Sequence, residues 1–472
     1  MKDTRMTSTD TLARRAFLRR LGHLGIAGTA APWAINLAAM GEAAAFTAND
    51  GYKALVCIFL YGGNDNGNTL IPYDSAGHAE YVQARGTLAI ARASLGATAL
   101  TGNGLPAGRE YALAPTLAPL KGLFDRRQLA VQLNVGPLRQ PTTLAQYQAR
   151  SVPLPPKLFS HNDQQSVWQS SLAEGSVTGW GGNLGDLALS SNGGNGLFTC
   201  MSVTGNAVFL SGDQALAYQI GPGGAVAING VTRDDGMYNQ QACRQALQTL
   251  ITQGRTHVLE NELNRVVARS ISSHATLAGA LAGSDGQFDA LLPTTAERPA
   301  TLNGQLKMVA RLIAARNQLG LKRQVFLVSL GGFDTHDNLM TNHPKLLEQV
   351  AQAMAGFQGA LDAMGVGPQV TTFTASDFGR TMPSNGDGSD HGWGSHHLVM
   401  GGAVKGGAFY GTAPTALLKG PEDVGQGRLL PSTSVDQYAA TLARWFGVND
   451  GEMREVAPSI GNFDQKNLGF LG

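Results

Sequence analysis

The chain has 472 residues, 35 Lys and Arg against 34 Asp and Glu, and a formal net charge of +1. That balance gives no electrostatic case for binding nucleic acid, which calls for an excess of cations on one face. Charged residues make up only 15% and glycines number 61, a composition of tight turns and long loops on a packed scaffold.

In chain order, the first signal lies at Arg14-Arg15-Ala16-Phe17-Leu18, the address read by twin-arginine export. A weakly apolar, small-residue stretch follows over 21–40, and Ala43-Ala44-Ala45 suits a signal peptidase. The stretch holds Gly, Pro, His and Asn and is a poor permanent membrane span. Residues 1–45 are therefore expected to be a removable export signal, and 46–472 a single domain in the periplasm or at the cell surface. That route carries folded cargo, often with a bound group. A protein partner is left open.

Residues 52–61 (YKALVCIFLY) are a short apolar run bounded by glycine, the signature of a buried strand. A helix is expected over 117–125 and a second strand over 129–135. Residues 190–235, rich in Gly and Asn, read as strands and loops inserted in or capping the main fold. Residues 240–281 have helical spacing, and 302–319 form an amphipathic helix that feeds a buried strand at 324–330. A helix over 345–364, a strand over 370–375, a short apolar segment at 398–400 and a helix over 435–446 complete the chain. Helices alternating with buried strands predict an α/β fold: a largely parallel central sheet flanked by helices.

In such a sheet ligands gather at the carboxyl ends of the strands. There the chain reads Gly62-Gly63-Asn64-Asp65, Gly331-Gly332-Phe333-Asp334-Thr335-His336 and Ser376-Asp377-Phe378-Gly379-Arg380-Thr381. A further loop carries Asp390-His391-Gly392-Trp393-Gly394 before His396-His397. Carboxylate oxygen and imidazole nitrogen are the ligands of zinc, manganese and similar ions. An Asp after a strand is also a common turn former or cap, so Asp65 stays open between the two roles. His396 and His397 stay open between ligands and loop residues, Trp393 between core and pocket wall. His78 and His257 are expected on solvated helix surfaces. Ser160-His161-Asn162-Asp163 reads equally as a nucleophile or ligand set or as a helix start capped by Ser160, with Asp163 at its third position. Cys57 reads as core. Cys200 and Cys243 are open between a disulfide, which an oxidising compartment permits, and free thiols.

Taken in order, GGND (62–65), SHNDQQ (160–165), GGFDTH (331–336), SDFGRT (376–381), DHGWG (390–394) and the closing helix resemble a bacterial, twin-arginine-exported family catalogued as a domain of unknown function, number fifteen-oh-one. The resemblance implies an alkaline phosphatase and sulfatase-like fold. Carried over, it makes Ser160 the nucleophile candidate and Asp65, Asp334, Asp377 and His391 members of the metal set; the clustered strand-end residues add His336 and Asp390 to a site for a divalent metal (zinc, manganese or calcium) and leave Arg380 to neutralise substrate oxygens. Two positions depart from the superfamily pattern. Asn338 stands four residues after Asp334 where a His is expected, so His336 serves instead or that ligand is missing. Phe378 follows Asp377 where the pattern has His. No Cys-x-Pro-x-Arg follows the first strand, which argues against formylglycine chemistry. The implied function is a metal-dependent hydrolase or transferase acting on phosphate or sulfate esters, small or polysaccharide. The alternatives are a non-catalytic scaffold binding an envelope, polysaccharide or protein partner, and an export-coupled maturation factor.

Overall fold

The computed structural model describes residues 51–232, 240–295 and 301–472. The expected export signal at 1–45 lies outside the described residues. In chain order the first strands are β1 (Lys53–Leu60), β2 (Leu70–Pro72), β3 (Ala99–Leu100), β4 (Tyr111–Leu113), β5 (Leu129–Gly136), β6 (Cys200–Ser202), β7 (Tyr218–Gly221) and β8 (Gly224–Ala225). They are followed by β9 (Arg323–Leu330), β10 (Val370–Ser376), β11 (Ser395–Met400), β12 (Ala408–Tyr410) and β13 (Thr433–Ser434). The helices are α1 (Ser75–Arg85), α2 (Ala118–Asp125), α3 (Leu144–Ala149), α4 (His161–Ser170), α5 (Trp180–Ala188) and α6 (Gln241–Thr252). Then come α7 (Val258–Leu281), α8 (Leu302–Ala314), α9 (Leu339–Ala363), α10 (Val435–Phe446) and α11 (Met453–Val456).

Ten strands form the main sheet in the order β12-β5-β11-β10-β1-β9-β6-β7-β8, with β13 also on β5. β1 runs parallel to both β9 and β10, while β11 is antiparallel between β10 and β5. The fold is the expected α/β architecture, a mostly parallel sheet flanked by helices. β1 shows why its sequence is a continuous apolar run. Ala54, Val56, Ile58 and Leu60 face the core built with α2, α8 and α9, while Leu55, Cys57 and Phe59 face the core built with α4, α5 and α10. A strand covered on both faces has no solvated side to make polar.

Several elements differ from expectation. The helical stretch 240–281 breaks at 253–257 into α6 and α7, where Gly254 interrupts the pattern. α9 begins at Leu339 rather than beyond Pro344, because the proline forgoes only one backbone bond near the helix start while Leu347, Val350, Met354 and Phe357 bury one face. The expected insertion at 190–235 supplies β6, β7 and β8, which continue the sheet beyond β9; residues 233–235 lie outside the described residues. His78 is buried, not solvated, and its Nε2 sits 3.0 Å from the Ile90 carbonyl. His257 is exposed at the start of α7, as expected. Cys57, Cys200 and Cys243 are all free, with Cys200 sealed in β6.

Candidate metal centre

β1, β9 and β10 end level, because Leu60 pairs with both Leu330 and Ser376. The segments that follow therefore meet at one rim. β11 runs the other way, so the DHGWG loop before it reaches the same rim. Gly62 ties the segments together. Its N–H donates to Asp377 Oδ2 at 3.2 Å and its carbonyl accepts from Arg380 Nη1 at 3.1 Å. Its φ is +116°, and a Cβ there would lie 2.3 Å from the Asp334 nitrogen, so only glycine lets these two loops touch.

Asp334 stands at the centre. Its Oδ1 accepts from Arg380 Nη1 at 2.7 Å and lies 3.1 Å from His336 Nε2 and 3.3 Å from His391 Nε2. Its Oδ2 lies 3.4 Å from His161 Nε2. Burial opposes its charge, but the Arg380 guanidinium outweighs that and holds the carboxyl below its usual range.

Each imidazole is held from behind at Nδ1. For His161 the partner is Asp377 Oδ2 at 2.6 Å, for His336 Asp390 Oδ1 at 3.1 Å, and for His391 the Phe159 carbonyl at 2.8 Å. Those oxygens accept only, so Nδ1 carries the hydrogen and a neutral ring turns a lone pair at Nε2 toward Asp334. His336 and His391 bring their Nε2 atoms within 2.8 Å of each other. Lone pairs so close to each other and to a carboxylate repel unless a proton or a cation lies among them. The ligand atoms of His161, Asp334 and His391 all fall within 4.8 Å of one another. A histidine backed by a carboxylate or carbonyl and facing a metal with its other nitrogen is the usual outer-shell pattern of such sites. The residues present fit a divalent ion held by His161, Asp334 and His391, with His336 beside them.

Local structure explains the aim of each ring. Phe159 has a φ of +72°, unusual for an aromatic residue, and its carbonyl holds His391. His161 then opens α4, and one turn on Gln165 Nε2 also donates to Asp377 Oδ2, at 2.8 Å. His391 forms a two-residue β-bridge with Arg380. The Phe378 ring lies 4.8 Å from His161 and 4.6 Å from His391, an apolar floor where the resemblance implied a ligand. The hydrogen bond to Asp377 raises the pKa of His161 against the opposing effect of burial. Burial lowers that of His391, against its bond to Phe159.

The rest of the expected set divides. Asp377 and Asp390 orient His161 and His336 and do not join the converging atoms. Asp65 is the N-cap of a short turn, accepting from the Gly67 N–H at 3.1 Å, and its other oxygen is ion-paired with Arg85, both side chains fully buried. A guanidinium thus stands where the resemblance implied a metal. The Arg380 side chain is fully buried, and its donors go to Gly62, Asp334 and Ser389. Ser160 sits at the N-cap of α4, but its hydroxyl donates to Asp163 Oδ2 at 2.8 Å and accepts from no backbone N–H of the helix. His396 and His397 are buried within β11, where burial lowers their pKa values to about 4 and about 3. Trp393 is core, its Nε1 donating to the Pro137 carbonyl at 2.9 Å. His161 was not among the residues expected to hold a metal, although its cluster was left open as a ligand set, and the fold brings it to the converging atoms. It stood in SHNDQQ, but nothing local distinguishes it from a residue of a capped helix start.

The sequence matches the family described as "Protein of unknown function (DUF1501)" over residues 52–459. The chain belongs to that family. No curated protein matches this DUF1501 chain. Among solved structures it is similar to Ps i-CgsB in complex with k-i-k-neocarrahexaose, at 11% identity over 88% of this chain and 77% of that one, with a TM-score of 0.33. It is also similar to the lipoteichoic acid synthase LtaP from Listeria monocytogenes, at 9% identity over 89% and 77%, TM-score 0.36. A third is wild-type alkaline phosphatase PafA, at 10% identity over 70% and 64%, TM-score 0.27. None of these likenesses assigns a role to a residue of the DUF1501 chain.

Proposed function

We propose that the protein is an exported, metal-dependent hydrolase or transferase acting on phosphate or sulfate esters, with one ion bound by His161, Asp334 and His391. The observation that carries this reading is the convergence of three Nε2 atoms on Asp334, each ring anchored at Nδ1. A bound divalent ion would polarise an ester oxygen and lower the pKa of a hydroxyl or water beside it. Around that ion, Asp377 and the Phe159 carbonyl hold His161 and His391 in one tautomer, and buried Arg380 keeps Asp334 ionised. Ser160, next to His161, is the proposed nucleophile; Asp163 accepts its proton-bearing oxygen's hydrogen bond and is placed to take the proton. Asp65, Asp377, Asp390 and Arg380 serve the frame of the site instead of meeting the ion or the substrate. Among the described residues no helix is long and apolar enough to cross a membrane.

The Arg85–Asp65 pair and Phe378 favour a second reading, a binding scaffold descended from a two-metal enzyme. Elemental analysis separates the two. The exported protein, purified without chelator, is compared with Asp334→Ala and His391→Ala. The hydrolase reading expects about one equivalent of metal in the wild type, lost in both variants, and turnover of an aryl phosphate or sulfate. A metal-free, folded, inactive wild type supports the scaffold.

A further inference from the structure

The expected anion-binding residue, Arg380, is enclosed and its donors are engaged. A different arginine is attached to the frame of the same site. Arg428 Nε donates to the His391 carbonyl at 2.7 Å, and its guanidinium lies over the Phe159 ring, 4.6 Å from the centroid. It is thus fixed to the residue that ligates and to the residue whose carbonyl orients that ligand. The loop beneath it is braced by Asp423, whose Oδ1 accepts from the Gly425 and Gly427 N–H groups at 2.7 and 2.8 Å. Asp390 and Asp423 act on the guanidinium through space, yet no carboxylate among the described residues lies within ion-pair distance of it. Its two terminal nitrogens meet no protein acceptor among the described residues. By contrast, nearby Lys157 is answered by Asp163 at 3.7 Å and Glu174 at 3.5 Å.

We infer that Arg428 is the oxyanion-recognition residue of this site, receiving the non-bridging oxygens of a phosphate or sulfate group. This rests on, and deepens, the reading of the site given above. A guanidinium stacked on a ring and tethered at Nε has lost little freedom still to lose. Its two remaining amines form the fork that matches a tetrahedral oxyanion. Lysine, a point charge on a flexible stem, keeps the charge but not the fork.

The test is calorimetric titration of inorganic phosphate into the purified full-length chain, zinc-loaded and chelator-stripped. Wild type, Arg428→Gln and Arg428→Lys are compared, with zinc stoichiometry and thermal midpoint measured on each. Arg428→Gln is expected to weaken phosphate binding roughly tenfold to a hundredfold with zinc content and fold retained, and Arg428→Lys to fall between. The inference is overturned if Arg428→Gln binds phosphate as wild type does, or if the wild type binds none in either state. It is equally overturned if Arg428→Gln loses zinc together with phosphate, because the residue then merely supports His391. A wild type that takes up no zinc but binds phosphate through Arg428 would sink the metal reading and sustain this one.

Discussion

His161 Nδ1 lies 2.6 Å from Asp377 Oδ2, although the two residues are 216 positions apart in the chain. One closes a strand and the other opens a helix, and their contact sets which nitrogen of the histidine faces Asp334. Asp377→Asn keeps the shape but not the charge, and its amide can present a hydrogen where the ring needs an acceptor. Zinc affinity is expected to fall about 10- to 100-fold, measured by competition with a chromophoric chelator. Unchanged affinity would mean that His161 is not a ligand.

The Arg85–Asp65 pair is fully buried and should be structural. Arg85 also donates to the carbonyls of Thr381 and Met382. Arg85→Met is expected to lower unfolding stability by about 3–5 kcal/mol, the usual effect of leaving one buried charge unpaired. Zinc stoichiometry of the folded fraction should be unchanged. Loss of metal at equal fold would return Asp65 to the ligand set.

At Gly62 a side chain has no room, since its Cβ would meet the backbone of Asp334. Gly62→Ala is expected to destabilise the chain by more than about 1 kcal/mol and to abolish zinc binding, because the loop carrying Asp334 must retreat. Urea melts and zinc titration read the two effects. A variant with wild-type zinc affinity would contradict the close approach of the two loops.

The pH dependence follows from His161, whose pKa is raised mainly by its bond to Asp377. A raised histidine pKa contributes stability that is fully present below the unfolded value, about 6.5, and lost as pH rises through the folded value. Zinc needs the neutral ring, so its affinity should climb across that same window. Chelator-stripped protein should therefore lose thermal stability above about pH 6.5 while zinc binding strengthens. Asp377→Asn should flatten the stability profile; an identical slope in the variant would remove His161 as its source.

All three cysteines are free in the fold. Alkylation and mass analysis of unfolded, unreduced protein should find three labelled thiols. In the native state Cys243 should label first, because Cys57 and Cys200 are buried and burial raises their thiol pKa values. A Cys200–Cys243 linkage in the purified protein would require β6 and α6 to be arranged differently.

The α/β class, the strands expected at 52–61, 129–135, 324–330 and 370–375, and the strand-end rim could all be read from the residues, and the structure places those strands at 53–60, 129–136, 323–330 and 370–376. Buried parallel strands must be apolar on both faces, and the residues that follow them are set apart by glycine and polarity. The sequence also named Asp334, His336 and His391, which the fold brings together. Their surroundings could not be read locally and came from the packing of the fold. Asp65 and Asp334 look alike after their strands, yet one meets Arg85 in the core and the other meets three imidazoles. The SHND motif left His161 open between a ligand set and a capped helix start, and Arg428 carried no local signal, because what brings them to the site is the strand register, the left-handed turn at Phe159 and the return of the 425–430 loop, each set by contacts with residues far away in the chain.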